Sequence, residues 1–295
     1  MTIGLHAFRD QAAEAQRLAD ALQISLAFVD VHAFPDGEIV PRVPAPAQTT
    51  IVYRSLYNPN IKLVELLLAV DAWRRNGAQR LILVAPYLPY MRQDTAFRIG
   101  EPISQRVMAN LLNAAFDRII TVDPHLHRTS SLAELFPTCA STHLFGADAL
   151  IPHLRASPPA AGTVVVGPDV ESSPWVRRIA EPLGLDHATL RKHRRGDTEV
   201  ELLPPTDFNP SGRPILLVDD ICSTGNTLRK ATLMLKSLEA GEVTIFITHA
   251  LGGAKVMDEL LHAGASRIIS TDSSADPTNG IHLADLLARS LRDPG

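Results

Sequence analysis

Short runs of apolar, mostly β-branched residues alternate with stretches of helical period along almost the whole chain, and few architectures accommodate that rhythm. Leu81–Ala85, Arg118–Val122, Thr163–Gly167, Ile215–Val218 and Val243–Thr248 read as buried strands, because each is short, nearly continuous and bounded by turn-forming residues. Between them, Ile61–Arg75, Ser104–Ala115, Pro174–Leu183, Thr227–Glu239 and Ala254–Ala263 carry apolar residues at helical spacing. Gly77, Gly184, Gly241 and Gly264 each follow one of these helices, where a left-handed cap is often required. Strands joined through helices pair in parallel, so the alternation predicts mainly parallel sheets covered by helices on both faces.

A chain of 295 residues can build two ordinary cores or one large one. Two alternating series are visible, one before about residue 145 and one after it. The Pro/Ala/Ser-rich stretch Ile151–Gly162 is expected to be the least structured segment between them. The expected division is an N-terminal domain over 1–146, a C-terminal domain over 147–280, and a closing helix in 281–295 that can pack back on the first domain. In each half a strand runs into acidic text, VDPH in the first and VDD in the second. That similarity suggests a duplication but is too slight to prove one.

Charge and cysteine usage exclude several classes. A formal net charge of −4 argues against a broad nucleic-acid or anionic-membrane surface. Two distant cysteines, Cys139 and Cys222, offer neither a disulfide framework nor metal-type spacing, which fits a reducing cytoplasm. The first twenty residues lack a basic stretch followed by an apolar run, and no segment reaches membrane-spanning length. The expectation is a soluble cytoplasmic protein without nucleic-acid or membrane partners.

The most informative segment begins at Pro214, PILLVDDICSTGNTLRKATLMLKSL. An apolar strand ends in Asp219 and Asp220, and Ser223, Thr224, Gly225, Asn226 and Thr227 lead into a helix. Ligands of parallel sheets sit beyond the carboxyl ends of strands. A helix amino terminus offers free amides and a positive dipole end, which suit a phosphate. Gly225 permits close backbone approach, and the hydroxyls can donate further bonds. The two carboxylates can accept from ribose hydroxyls or hold a magnesium ion. An ordinary helix cap accounts for the serine and threonine but not for two adjacent acids at a buried strand end.

VDDICSTGNTL resembles the phosphoribosyl pyrophosphate-binding signature shared by phosphoribosyltransferases and ribose-phosphate pyrophosphokinases. Ser223 stands where many bacterial members carry an acid, a form that resembles the shorter archaeal-type enzymes. FPDGE, with Phe34, Asp36 and Glu38, is similar to the kinase-branch loop that enters a neighbouring subunit's ATP site. YLPYMRQDTAFRIGEPIS resembles that branch's ATP-binding segment, with Arg92, Gln93 and Asp94 in the matching places. By itself RQD would be an exposed polar turn, although Arg92 is a planar fork suited to phosphate oxygens. His125, in TVDPH, resembles the family histidine that contacts ATP phosphates and magnesium; a lone histidine is a weak signal, and Asp123 at the same strand end strengthens it. RKHRRGDTEVEL, which alone reads as a solvated basic loop followed by an alternating strand, resembles the mobile catalytic loop, with Lys192 and Arg194 as its Lys-x-Arg pair. Such loops close over substrate, so this one is expected to be poorly ordered without ligands.

The resemblance covers nearly the whole chain. It implies two tandem phosphoribosyltransferase-like α/β domains, magnesium as cofactor, with His125 and Asp169 as metal contacts, and a dimer or hexamer. The implied reaction is transfer of the β,γ-diphosphoryl group of ATP to ribose 5-phosphate. One segment departs from the pattern: Pro168 and Asp169 are kept, but Glu171 and Ser172 stand where the family's pyrophosphate loop has glycines. A carboxylate there repels phosphate. That departure keeps open a different acceptor sugar phosphate or a catalytically silent regulatory homologue. A plain phosphoribosyltransferase leaves FPDGE and RQD unexplained.

Overall fold

The computed structural model describes residues 2–126, 129, 131–195 and 199–293, the side chains of 192–195 and 199–201 excepted. The chain divides into two compact units, residues 1–144 with 283–295, and residues 145–282. Among the described residues no helix is long and apolar enough to cross a membrane.

In unit 1, β1 (Ile3–Phe8) passes through a 3-10 turn (Arg9–Gln11) into α1 (Ala12–Leu22). Next come β2 (Leu26–Ala33), β3 (Ile39–Arg42), β4 (Thr49–Tyr53), α2 (Pro59–Arg75) and β5 (Arg80–Ala85). The unit continues with α3 (Ser104–Ala115), β6 (Arg118–Val122), α4 (Leu132–Leu135) and β7 (Ala140–Leu144). Seven strands form one sheet in the order β3-β2-β1-β4-β5-β6-β7, all pairs parallel except β2 with β3. All five residues of β4 are buried, as expected of a central strand covered on both faces.

In unit 2, α5 (Ala147–Ala156), β8 (Val164–Gly167), a 3-10 turn (Val170–Ser172), α6 (Ser173–Ala180) and β9 (Asp186–Thr189) come first. An antiparallel pair follows, β10 (Arg191–Arg195) with β11 (Glu199–Leu203). Then come β12 (Ile215–Cys222), α7 (Asn226–Ser237), β13 (Val243–Ala250), α8 (Gly253–His262), β14 (Arg267–Thr271) and β15 (Asn279–Ile281). The main sheet is wholly parallel, in the order β15-β14-β13-β12-β8-β9. Leu217, Ile245 and Ile247 pack towards Leu228 and Leu260, whereas Leu216, Val218 and Phe246 pack towards Leu150 and Ile179. Helices therefore cover both faces, and the α/β class read from the alternation is the architecture found.

The last helix, α9 (Ala284–Arg292), groups with unit 1 and packs on α1. Arg118, buried at the start of β6, ties it down by donating to the carbonyls of Ser290 (3.1 Å) and Asp293 (3.0 Å).

Four local expectations need correction. The Ile151–Gly162 stretch is not the least structured segment, because α5 runs through Pro152 to Ala156; a proline removes one ladder bond, and the buried face of Leu150, Ile151 and Leu154 holds the turn. Gly241 is not a left-handed cap. Glu239 takes that conformation (φ +59°), and Gly241 is small because a Cβ there would lie 3.0 Å from the Arg213 carbonyl oxygen. β12 does not end at the two aspartates but continues to Cys222. The basic cluster at 191–195 is itself a strand, not a loop ahead of one; residues 196–198 lie outside the described residues.

Candidate active site

The geometry of unit 2 turns on where strand order reverses. From β8 the chain crosses to β9 on one side, and from β12 to β13 on the other. The gap beyond the carboxyl ends of β8 and β12 is thus the switch point, where open parallel sheets bind ligands. β12 stays paired with β13 through Cys222–Ala250, while its pairing with β8 stops at Leu217–Val166. Asp219 and Asp220 therefore stand on a strand that overshoots its neighbour. Asp219 is half-buried and Asp220 only 5% exposed. Successive strand residues face opposite sides, so the two adjacent carboxylates do not close on one ion as a two-pronged clamp.

The turn after β12 is not part of the packed core. Thr224 and Asn226 are exposed, while Ser223 and Thr227 are half-buried. Gly225 enters α7 at φ +70° and, as the N-cap residue, brings no side chain of its own to cap the helix. The Leu251 amide donates to the Cys222 carbonyl at 2.8 Å. A Cβ on Gly252 would fall 2.6 Å from the Ser223 carbonyl oxygen, so the loop rests on the backbone after β13. Gly252 and Val256, which back the loop, escaped the sequence reading; the Gly-Gly pair in THALGGAK was the available signal. Burial, with the charges of Asp219 and Asp276, pushes the Cys222 thiol up to about 12 despite a hydrogen bond from the Gly225 amide. At neutral pH it is no nucleophile.

Beside this loop, the turn after β8 contacts β12. Asp169, 8% exposed, accepts from the Glu171 amide at 3.0 Å, and its carbonyl accepts from the Ser172 hydroxyl at 2.5 Å. Residues 170–172 thus form a capped 3-10 turn leading into α6, rather than an open glycine curl. Glu171 is exposed, which places its charge in solvent. Lys192 and Arg194 lie on β10, opposite Leu202 and Val200 of β11.

Unit 1 gathers a second set of predicted residues at the carboxyl ends of its own strands. After β5, Tyr90 adopts φ +65°. The buried Gln105 fixes the segment, its amide donating to the Gln93 carbonyl and its side chain to the Met91 carbonyl, both at 3.1 Å. Arg92 and Gln93 are exposed and Asp94 half-buried. After neighbouring β6, Asp123 is buried at φ +37°, with the His143 Nε2 3.7 Å from its Oδ1. A non-glycine residue held there is a strained conformation of the kind that clusters at functional sites. Half-buried His125 follows it. Phe34, Asp36 and Glu38 form the exposed tip joining β2 to β3, with the Phe34 amide bonded to the Glu38 carbonyl at 2.8 Å and the Glu38 amide to the Asp36 carboxylate at 3.1 Å. β1 and β4 lie between β2 and β5, a separation of roughly 14 Å at the usual strand spacing. The FPDGE tip and the RQD segment of one chain are therefore not neighbours in the sheet.

Magnesium takes oxygen ligands, commonly one or two carboxylates together with substrate phosphates and water. Asp169 and the two β12 aspartates are donors of that kind; His125, a nitrogen donor, is the poorer match. Among the described residues no group of three or more His, Cys, Asp or Glu could hold a metal by itself, and a phosphate-bridged magnesium requires none.

Residues 4–115 match the family described as the N-terminal domain of ribose phosphate pyrophosphokinase, and residues 146–270 match the phosphoribosyl transferase domain. The chain is 34% identical over 280 residues to the ribose-phosphate pyrophosphokinase of Methanopyrus kandleri, covering 94% of each chain. It is 32% identical over 262 residues to that of Pyrococcus abyssi, covering 88% of this chain and 89% of the relative. Among solved structures, phosphoribosylpyrophosphate synthetase from Mycobacterium smegmatis superposes with a TM-score of 0.85 at 27% identity, over 99% of this chain and 98% of that one.

Proposed function

The chain belongs to the ribose-phosphate pyrophosphokinase family, and from that membership we infer that it transfers the β,γ-diphosphoryl group of ATP to the 1-hydroxyl of ribose 5-phosphate. The observation that carries this reading is the solvent-facing turn after β12, entered from two aspartates and opening through Gly225 into the amino terminus of α7. The 5-phosphate would be bound by the amides and hydroxyls of Ser223–Thr227, with Gly225 giving close backbone approach. Asp219 and Asp220 would accept from the ribose hydroxyls and so orient the ring.

In the reaction the 1-hydroxyl oxygen bonds to the β-phosphorus, the bond from that phosphorus to the α-bridging oxygen breaks, and AMP leaves while the hydroxyl proton is lost. Such chemistry is mostly alignment and charge stabilisation, so no nucleophilic side chain is required. Arg92, Gln93, Asp94 and His125 are assigned to ATP. Phe34, Asp36 and Glu38 are assigned to the ATP of a second subunit, which the strand spacing of unit 1 supports and which makes the protein a homo-oligomer. Lys192 and Arg194 would neutralise charge on the transferred group. Asp169 and His125 are each assigned as a contact to magnesium, which would offset the negative charge of the polyphosphate. The net charge of −4 argues against a broad nucleic-acid or anionic-membrane surface, and the two distant cysteines fit a cytoplasmic enzyme.

AMP release measured with and without ribose 5-phosphate, in magnesium, tests the reading. Ribose-dependent AMP from the folded chain is the expected result, and its absence across a range of ATP and magnesium concentrations would overturn it.

A further inference from the structure

Unit 1 contains a second switch-point crevice that the proposed reaction does not use. Its strands cross from β1 to β2 on one side and from β4 to β5 on the other, just as β8 and β12 part in unit 2. The pairing registers put the two places in correspondence. Ala7 pairs with Tyr53 and Val166 with Leu217. Three residues beyond Ala7 and Val166 stand Asp10 and Asp169, each in or beside a 3-10 turn that opens a helix. The helices that follow the neighbouring strands β4 and β12 are both entered from a left-handed residue, Asn58 (φ +51°) before α2 and Gly225 (φ +70°) before α7. The approach differs, however: residues 54–58 lead to α2, where residues 218–225 lead to α7. Unit 1 thus lacks the length for a hydroxyl-rich phosphate loop, and Ser55 and Leu56 replace the two acids.

What stands there instead is a cavity of about 450 Å³ lined by Asp10, Arg54, Lys62 and Glu65, among others. That is the size of a small-molecule site. Arg54 is 2% exposed, with its guanidinium 4.1 Å from the Phe8 ring centroid and paired with Asp10 and Glu65. Its Nε, also buried, has no hydrogen-bond partner. Lys62 reaches the same Asp10 carboxylate at 3.5 Å and lies 3.3 Å from the Tyr57 ring centroid. Two buried cations therefore converge on one carboxylate whose own side chain is 47% exposed. A buried guanidinium donor left unsatisfied is costly, and Asp10, fixed on its turn, does not satisfy it.

We propose that this cavity is an oxyanion pocket in which the Asp10 carboxylate is the internal occupant and the phosphoryl group of a small molecule is the external one. A phosphoryl group displaces Asp10 towards solvent and takes over its contacts to Arg54 and Lys62. Burial lowers the Lys62 ammonium to about 8, against the pull of Asp10, so anion binding there also favours the charged lysine. The proposal does not rest on the reaction assigned above.

The test titrates inorganic phosphate calorimetrically into the full chain carrying Thr224→Asp, whose added carboxylate at the mouth of α7 silences the unit 2 cradle. Adding Asp10→Asn is expected to tighten phosphate binding at least tenfold, because the internal competitor is gone. Adding Arg54→Met or Lys62→Gln to that protein is expected to abolish it; two separate cation variants keep the test decisive if one misfolds, as judged by circular dichroism. Phosphate binding unchanged by Asp10→Asn, or undiminished in the folded Arg54→Met or Lys62→Gln protein, overturns the proposal. Ribose-dependent AMP release is read separately on chains with Thr224 intact, so failure of one reading leaves the other standing.

Discussion

A Cβ placed on Gly225 would lie 2.6 Å from Cγ1 of Val256, so the backbone of the turn after β12 is pressed against α8 at the residue that enters α7 left-handed. Gly225→Ala meets two penalties, a left-handed conformation costing about 1–2 kcal/mol for a non-glycine residue and a clash that forces the Val256 side chain or the turn itself to shift. The expected outcome is a fall in thermal stability and a rise of tenfold or more in the KM for ribose 5-phosphate, with the KM for ATP little changed. Equal loss of both substrates' affinities would mean that the turn does not serve the sugar phosphate.

Asp219 and Asp220 leave β12 on opposite faces, so they are not interchangeable. Each is expected to accept from a different hydroxyl of the acceptor. A hydrogen bond to a charged group contributes about 1.5–3 kcal/mol, so Asp219→Asn and Asp220→Asn should each lower kcat/KM for ribose 5-phosphate by about 10- to 100-fold. Steady-state kinetics with 2-deoxyribose 5-phosphate discriminates further: the variant whose carboxylate meets the 2-hydroxyl should lose its disadvantage with the deoxy acceptor. If neither variant does so, the acids do not orient the ring through that hydroxyl.

Much of this arrangement was legible in the chain itself, for physical reasons that differ by element. Ser104–Ala115 was bounded to the residue, because its apolar period is strong and it is flanked by loop text. The end of β12 was misjudged because aspartates are poor strand formers, and only the partner strand β13 shows that pairing continues to Cys222. Strand 191–195 hid behind its charge, since an antiparallel pair is specified by cross-strand partners rather than by local composition. For Gly252 and Val256 the Gly-Gly pair marks a close backbone approach, but nothing local says which loop approaches; only the fold brings the turn after β12 against it. Arg54 and Lys62 passed unnoticed, since buried cations carry no sequence mark until their acids, far apart in the chain, are brought together.

In the turn after β8, Gly167 and Ser172 share one small volume. A Cβ at 167 would lie 2.0 Å from the Ser172 hydroxyl oxygen and 2.9 Å from the Val176 Cγ2. Gly167→Ala should therefore be strongly destabilising, and Ser172→Gly should partly rescue it, because the nearest clash disappears. Contacting residues couple by about 0.5–3 kcal/mol, and a double-mutant cycle from urea melts measures the term. Additive effects would show that the two residues do not compete for space.

The buried pair of His6 and Trp73 makes stability depend on pH. Trp73 Nε1 donates to His6 Nδ1 at 2.8 Å, so the bond requires that nitrogen unprotonated, and burial lowers the imidazole from 6.5 to about 4. The unfolded chain binds a proton near 6.5 that the folded chain refuses until about 4. Stability contributed by the neutral histidine is thus complete above roughly pH 6.5 and is lost as pH falls towards 4. The difference corresponds to about 3 kcal/mol at one pH unit per 1.36 kcal/mol. Urea melts between pH 7 and 4 should show the unaltered chain losing stability more steeply than His6→Gln, whose amide can still accept from Trp73 but does not titrate. Parallel slopes for the two proteins over that range would show that His6 is not the group that refuses the proton.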